Sequence, residues 1–147
     1  MSKQRPILVI EDSDHDFAVL EMCLKTAAVS NRLDRCATGQ EIAAYLARME
    51  TTVVASIPVF VFLDLNVPGA RGHDVLEQLK AHPALAAVPV VVLTTSTQAR
   101  DIDLAYESGA AGFLTKPLDL DKFETMIQQV TDYWFAAVKL PQNLGRA

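Results

Sequence analysis

Glu11, Asp12, Asp64, Thr94 and Lys116 each close, or directly follow, a short apolar or β-type run. Together they offer three carboxylates, a hydroxyl and an amine, with no Cys or His among them. Such a set suits a hard cation with oxygen ligands. Mg²⁺ fits it best, because Mg²⁺ is held by one or two carboxylates plus a phosphate and keeps several waters. Carboxylates packed together raise one another's pKa, and a divalent cation removes that penalty. Lys116 adds a fixed positive charge that can neutralise an anionic oxygen of a transferring phosphoryl group. The chemistry suggested is in-line phosphoryl transfer to a carboxylate. Asp64 would be the nucleophile, Asp12 and Mg²⁺ would shield its approach, and Lys116 and Thr94 would grip the product.

Taken singly, each residue has a plainer reading. An Asp at a strand end often serves a turn or a helix cap, and Glu11-Asp12 suits the acidic first turn of a helix. Lys116 before Pro117 suits a surface, and Thr94 suits a solvated strand end. The set becomes a site only if the elements around it bring all five residues together.

Those elements are legible. Val59 to Leu63 is an unbroken apolar run lying between Pro58 and Pro68, and it reads as a strand buried on both faces that ends at Asp64. Ile7 to Ile10 is a similar run stopping at Glu11-Asp12, and Arg32 to Cys36 is a weakly marked second strand. Val90 to Leu93 runs into Thr94-Thr95-Ser96, and Gly112 to Leu114 into Thr115-Lys116-Pro117. Between these runs lie helical patterns. Ser13 or Asp14 caps the first, with Phe17, Leu20, Leu24 and Ala27 at helical spacing. Thr38-Gly39 opens the next, with Ile42, Tyr45, Leu46 and Met49 on one side, and Val75, Leu76 and Leu79 mark a third that ends near His82-Pro83. Asp101 to Ser108 is a helix with Ile102, Ala105 and Tyr106 inward, closed by Gly109. Asp119 to Val138 is a long last helix. Thr51 to Pro58 reads as a loop, Gly69 to Gly72 as a turn and Pro141 to Ala147 as a frayed tail.

Strand and helix alternate five times, which predicts an α/β, doubly wound, five-stranded parallel sheet flanked by five helices. All strands then end on one edge, where open α/β folds place their chemistry. The reading is one domain over 1–147, with its core at about 6–138 and a short tail. Half of the residues are apolar, yet no run approaches the length of a membrane span. Lys3 and Arg5 are followed only by Ile7 to Ile10, with no signal-peptide pattern. A formal net charge of −5 argues against nucleic acid as the main partner. Cys23 and Cys36 read as isolated, buried thiols. The expected setting is cytoplasmic.

The segments Val-Ile-Glu11-Asp12, Leu-Asp64-Leu-Asn-Val-Pro68-Gly, Val-Val-Leu-Thr94 and Thr-Lys116-Pro117 resemble, in order and spacing, the receiver domain of two-component response regulators. The resemblance runs from about Ile7 to the end of the last helix. It implies a flavodoxin-like receiver fold and, by position, Asp64 as phosphoacceptor from a histidine kinase. It also implies Asp12 as a direct Mg²⁺ ligand beside Asp64, Glu11 acting through water and the backbone carbonyl of Asn66 as a further ligand. Lys116 is then the partner of the phosphoryl group, Thr94 the switch hydroxyl and Phe113 the coupled aromatic position. Phe113 lacks the hydroxyl that a Tyr would bring there, and Arg71 stands where the family often has Asp before the Gly. The implied protein is no enzyme in the usual sense but a phosphoacceptor that assists its own phosphorylation and dephosphorylation.

A narrower likeness covers Leu65-Asn66-Val67-Pro68, the Thr94-Thr95-Ser96 run and Asp132 to Pro141. It is similar to the stand-alone regulators paired with bacterial phytochrome kinases, and it implies output through protein contact. In the last helix Phe123, Met126, Ile127, Val130 and Trp134 form a sheet-facing stripe, while Tyr133, Phe135 and Val138 extend beyond it. Either these residues cap the domain's own core, or they form a homodimer or kinase contact; a homodimer through this helix is the expectation. Two rival readings stand beside this one. Asp12-Ser13-Asp14, Thr94, Lys116 and Asp119-Leu-Asp121 reproduce the motif order of haloacid-dehalogenase-type phosphatases, with Asp12 as nucleophile, but leave Asp64 idle. A pseudo-receiver binding module would leave the acidic set and Lys116 without a task.

Overall fold

The computed structural model describes residues 4–142. The N-terminal strand β1 (Ile7–Ile10) is wholly buried and leads through Glu11 and Asp12 into α1 (Asp14–Thr26). Ser13 is the cap: its Oγ accepts the Asp16 N–H at 3.1 Å. There follow β2 (Leu33–Cys36) and α2 (Gly39–Met49), which is capped by Thr38 through the Glu41 N–H at 3.1 Å. Strand β3 (Phe60–Leu63) ends one residue before Asp64. Two short antiparallel strands, β4 (Asn66–Val67) and β5 (Ala70–Arg71), lead into α3 (Gly72–Ala81). Strand β6 (Val90–Thr94), helix α4 (Ala99–Glu107), strand β7 (Gly112–Thr115) and helix α5 (Leu120–Thr131) complete the order.

The main sheet is five-stranded and parallel, in the order β2-β1-β3-β6-β7, so the expected doubly wound topology is the observed one. Alternation along the strands divides the core. Leu8, Ile10, Val61, Leu63, Val90 and Val92 face the side carrying Ile42, Leu76, Leu79 and Ala105. Ile7, Val9, Phe60, Phe62, Val91 and Leu93 face the side carrying Leu20, Leu24, Phe123 and Ile127. A two-sided strand explains the continuous apolar runs. Register then fixes the edge: Ile10 pairs with Leu63, Leu63 with Val92 and Thr94 with Thr115. Among the described residues no helix is long and apolar enough to cross a membrane.

Several local expectations need correction. The Gly69–Gly72 turn is the tip of the β4–β5 hairpin, with Gly69 at φ 82°, and Gly72 already belongs to α3. The hairpin docks on α2, where the Gly39 N–H donates to the Pro68 carbonyl at 2.8 Å and a Cβ on Gly39 would strike the Gly69 carbonyl. The loop after α2 contains a 3₁₀ turn at Val54–Ser56. Helix α4 begins at Ala99, two residues earlier than expected, and Tyr106 points outward, being half exposed. The last helix is regular only to Thr131 and widens into a π-helical stretch, Asp132–Ala137. That widening turns Phe135 inward, with its ring 5.5 Å from that of Phe60, while Tyr133 stays exposed. Pro141 is anchored rather than frayed, because its carbonyl accepts from Arg5 Nη1 at 2.9 Å. The rest of the expected tail, 143–147, lies outside the described residues.

Candidate functional site

Glu11, Asp12, Asp64 and Lys116 are each placed by a strand end. Glu11 and Asp12 leave β1 with the Glu11 N–H bonded to the Cys36 carbonyl at 3.0 Å, and Asp64 leaves β3 with its N–H on the Ile10 carbonyl at 2.9 Å. Lys116 leaves β7 with its N–H on the Thr94 carbonyl at 2.7 Å. Continuing the parallel ladder by one residue thus sets Glu11 beside Asp64, and the Lys116 side chain reaches both from across β6.

Carboxylate oxygens of Glu11, Asp12 and Asp64 lie within 4.8 Å of one another. Glu11 and Asp64 are buried and Asp12 is exposed, so the group forms a floor with one open side. The Lys116 ammonium closes the floor, donating to Glu11 Oε1 at 2.5 Å, Asp16 Oδ2 at 2.9 Å and Asp64 Oδ2 at 3.2 Å. The other Asp64 oxygen accepts the Asn66 N–H at 3.0 Å, which fixes the carboxylate plane. Beside Asp12 a cleft of about 510 Å³ opens, lined in part by Asn66, His73, Ser96 and Asp101.

Burial pushes the Glu11 carboxyl up to about 7; the Lys116 hydrogen bond opposes this and the neighbouring Asp64 adds to it. For Lys116, burial favours the neutral amine, but the hydrogen bonds to Glu11 and Asp16 and the charge of Asp64 outweigh it. The ammonium is held above its ordinary range. One lysine therefore faces more negative charge than it can balance. A donor set of hard oxygens, partly buried and electrostatically undercompensated, fits a divalent cation such as Mg²⁺.

Thr94 is fully buried, and its Oγ1 accepts the Ser96 N–H at 3.4 Å. Phe113 is partly buried and packs against the core on the α2–α3 side. Neither side chain is among the hydrogen-bond partners of the Asp64 carboxylate. Asp16 belongs to the site but was not identified from the sequence. It sits one helical turn beyond Asp12, and an acid in the first turn of a helix reads simply as dipole compensation. Also undetected was the chain from Ser96 Oγ to Asp101 Oδ2 at 2.6 Å, with His73 Nε2 3.6 Å from the other Asp101 oxygen. Its residues come from separate elements and carry no joint spacing. Asp12, the nucleophile of the phosphatase reading, is exposed and is not among the ammonium's partners.

Comparison with known proteins agrees with this geometry. A family described as the response regulator receiver domain matches residues 7–128. Response regulator Rcp1 of Synechocystis sp. is 34% identical over 135 residues, spanning 92% of either chain. The phosphorylated cyanobacterial phytochrome response regulator RcpA superposes with a TM-score of 0.84 at 30% identity, covering 94% of this chain and 99% of that one. The Mn²⁺-bound form of Rcp1 gives 0.82 at 32% identity, with the same coverage. A parallel sheet in this order, with three acids and a lysine gathered where its strands end, places the chain in the response regulator receiver family.

Proposed function

We propose that this chain accepts a phosphoryl group on Asp64 from a histidine kinase in a Mg²⁺-dependent reaction and signals by protein contact. The observation that carries the reading is the meeting of the Lys116 ammonium with the buried Asp64 and Glu11 carboxylates beside exposed Asp12. In the reaction an Asp64 oxygen attacks phosphorus in line, an O–P bond forms, and the P–N bond to the donor imidazole breaks with the nitrogen keeping the electron pair. Bound Mg²⁺ would supply the charge that lets two anionic groups approach, held by Asp12, Asp64 and the Asn66 carbonyl, with Glu11 acting through water. Asn66 N–H orients the nucleophile, since it fixes one Asp64 oxygen. Lys116 exchanges a carboxylate partner for a phosphoryl oxygen. Thr94 is the hydroxyl that turns toward the product, and Phe113 follows it by packing alone.

The test is intact-protein mass after incubation with Mg²⁺ and acetyl phosphate, with Asp64→Asn in parallel. One added phosphoryl group is expected in the wild type only, and only with Mg²⁺. A gain that persists in the variant would move the nucleophile elsewhere and reopen the phosphatase reading at Asp12.

The similarity to RcpA and Rcp1 supports a phytochrome-type kinase as partner; a cytoplasmic setting, with one receiver domain whose core spans about 6–138, belongs to the same proposal. For the contact itself we propose a homodimer through the last helix, supported by exposed Tyr133 at its end. The available patch is narrower than the sequence suggests, because Trp134 and Phe135 are engaged with Phe60 at 5.4 and 5.5 Å. Light scattering should give twice the chain mass. A monomer at high micromolar concentration, with a phosphoryl mimic bound, would eliminate the dimer.

A further inference from the structure

We infer that Arg35 is a positioning residue for the acidic site: it holds the Glu11–Asp12 turn by its backbone, so that the carboxylates are set before a cation arrives. The inference rests on the metal reading above. Arg35 is the third residue of β2, which among the described residues pairs only with β1 and forms one edge of the sheet. All three of its guanidinium nitrogens are directed at the segment that follows β1. Nε donates to the Glu11 carbonyl at 3.1 Å, Nη2 to the Asp12 carbonyl at 3.3 Å, and Nη1 pairs with Asp14 Oδ1 at 2.8 Å. The guanidinium plane rests on Phe17, with Cζ 4.8 Å from the ring centroid.

The neighbouring residue of the same strand works on the same turn, since the Cys36 carbonyl accepts the Glu11 N–H at 3.0 Å. Glu11 is therefore pinned at its amide and at its carbonyl by consecutive residues of β2. The ion pair to Asp14 adds little by itself, because Asp14 is almost fully exposed. The planar fork is what matters: a guanidinium presents its donors at fixed angles to the two carbonyls and the carboxylate, whereas an ammonium acts as a point charge.

Electrostatics alone predicts the opposite of positioning, which makes the inference sharp. A cation beside an acidic pocket repels a metal ion, so removing its charge would tighten metal binding. If the fork orders the ligands, removing it weakens binding instead, as loss of outer hydrogen-bonding partners commonly does by 10- to 100-fold.

The experiment titrates Mn²⁺ into the metal-free protein and follows the free-ion signal by electron paramagnetic resonance. Wild type, Arg35→Met, Arg35→Lys and Asp12→Asn are compared, with circular dichroism and Tm recorded for each. Wild type should bind, and Asp12→Asn should lose most of the affinity. Arg35→Met should bind about tenfold more weakly with its fold retained. Arg35→Lys should fall between, although its charge is unchanged. Should the Met variant fail to fold, the Lys variant carries the test. Either folded variant binding Mn²⁺ as tightly as the wild type overturns the inference while leaving the metal reading intact. A wild type that takes up no Mn²⁺ removes the metal reading and the role of Arg35 with it.

Discussion

The two ends of the sheet each carry a basic side chain with three oxygen partners, and they use it in opposite ways. At the end where the strands start, Arg5 donates to the carbonyls of Ile57, Pro58 and Pro141 at 2.8 to 3.0 Å. At the end where they finish, Lys116 faces Glu11, Asp16 and Asp64. Carbonyls are neutral, so the Arg5 fork ties three chain segments together without gathering negative charge, and no ion is called for. Carboxylates overbalance a lone ammonium, so the finishing edge keeps an excess of negative charge at a partly open site. The same number of contacts makes a clasp at one end and an ion-seeking site at the other. The charge of the partners decides between them.

Substitution should separate the two ends, and Lys116→Met has the largest expected effect. It leaves buried Glu11 and Asp64 without a counter-charge, so the metal-free protein should lose about 3 kcal/mol in urea denaturation. Added Mg²⁺ should restore much of that. Phosphoryl uptake should fall on the order of 100-fold, as on removing one donor to a developing oxyanion. A loss of stability that ignores Mg²⁺ would erase the proposed distinction between the ends. Arg5→Met comes next. Leaving three carbonyls without their donor should cost about 2 kcal/mol, with no rescue by Mg²⁺ and unchanged phosphoryl uptake.

The smallest effect is in pH. Glu11 titrates at about 7 when folded against an ordinary 4.5, so between those values the folded state holds a proton that the unfolded chain has released. Stability of the metal-free protein is therefore greatest below the unfolded value and declines as pH rises through about 7. Thermal melts from about pH 5 to about pH 8 should show the decline, and saturating Mg²⁺ should flatten it. Arg5→Met should follow the wild-type profile, since the Arg5 partners are backbone carbonyls, which do not titrate. A metal-free profile that is flat or rises would contradict the assignment.

Much of this site is legible in the sequence, because its residues mark strand ends. The run through Leu63 announces a two-sided strand, and Asp64 is where that run breaks; Glu11, Thr94 and Lys116 follow the same rule. Asp16 and Arg35 were not legible. Each contacts the site across the sheet edge, at sequence separations of 100 and 24 residues, and acids or arginines at those positions satisfy ordinary helix and strand preferences. The last helix misled for a related reason. Its apolar period continues past Thr131, but the backbone widens there, and the phase of every later side chain changes.

Sequence alone determined the five strands of the main sheet, the five helices, their order and the five residues gathered at the edge, because hydrophobic periodicity and strand termini are local properties and a parallel sheet sends all its strand ends one way. Only the tertiary structure decided which oxygen meets which donor. It showed that Lys116 is shared among three acids, that Asp12 is the exposed member, that Arg35 holds the turn from outside, and that Phe135 faces inward. Such contacts depend on distances of a few ångströms between segments far apart in the chain, and no local pattern encodes those.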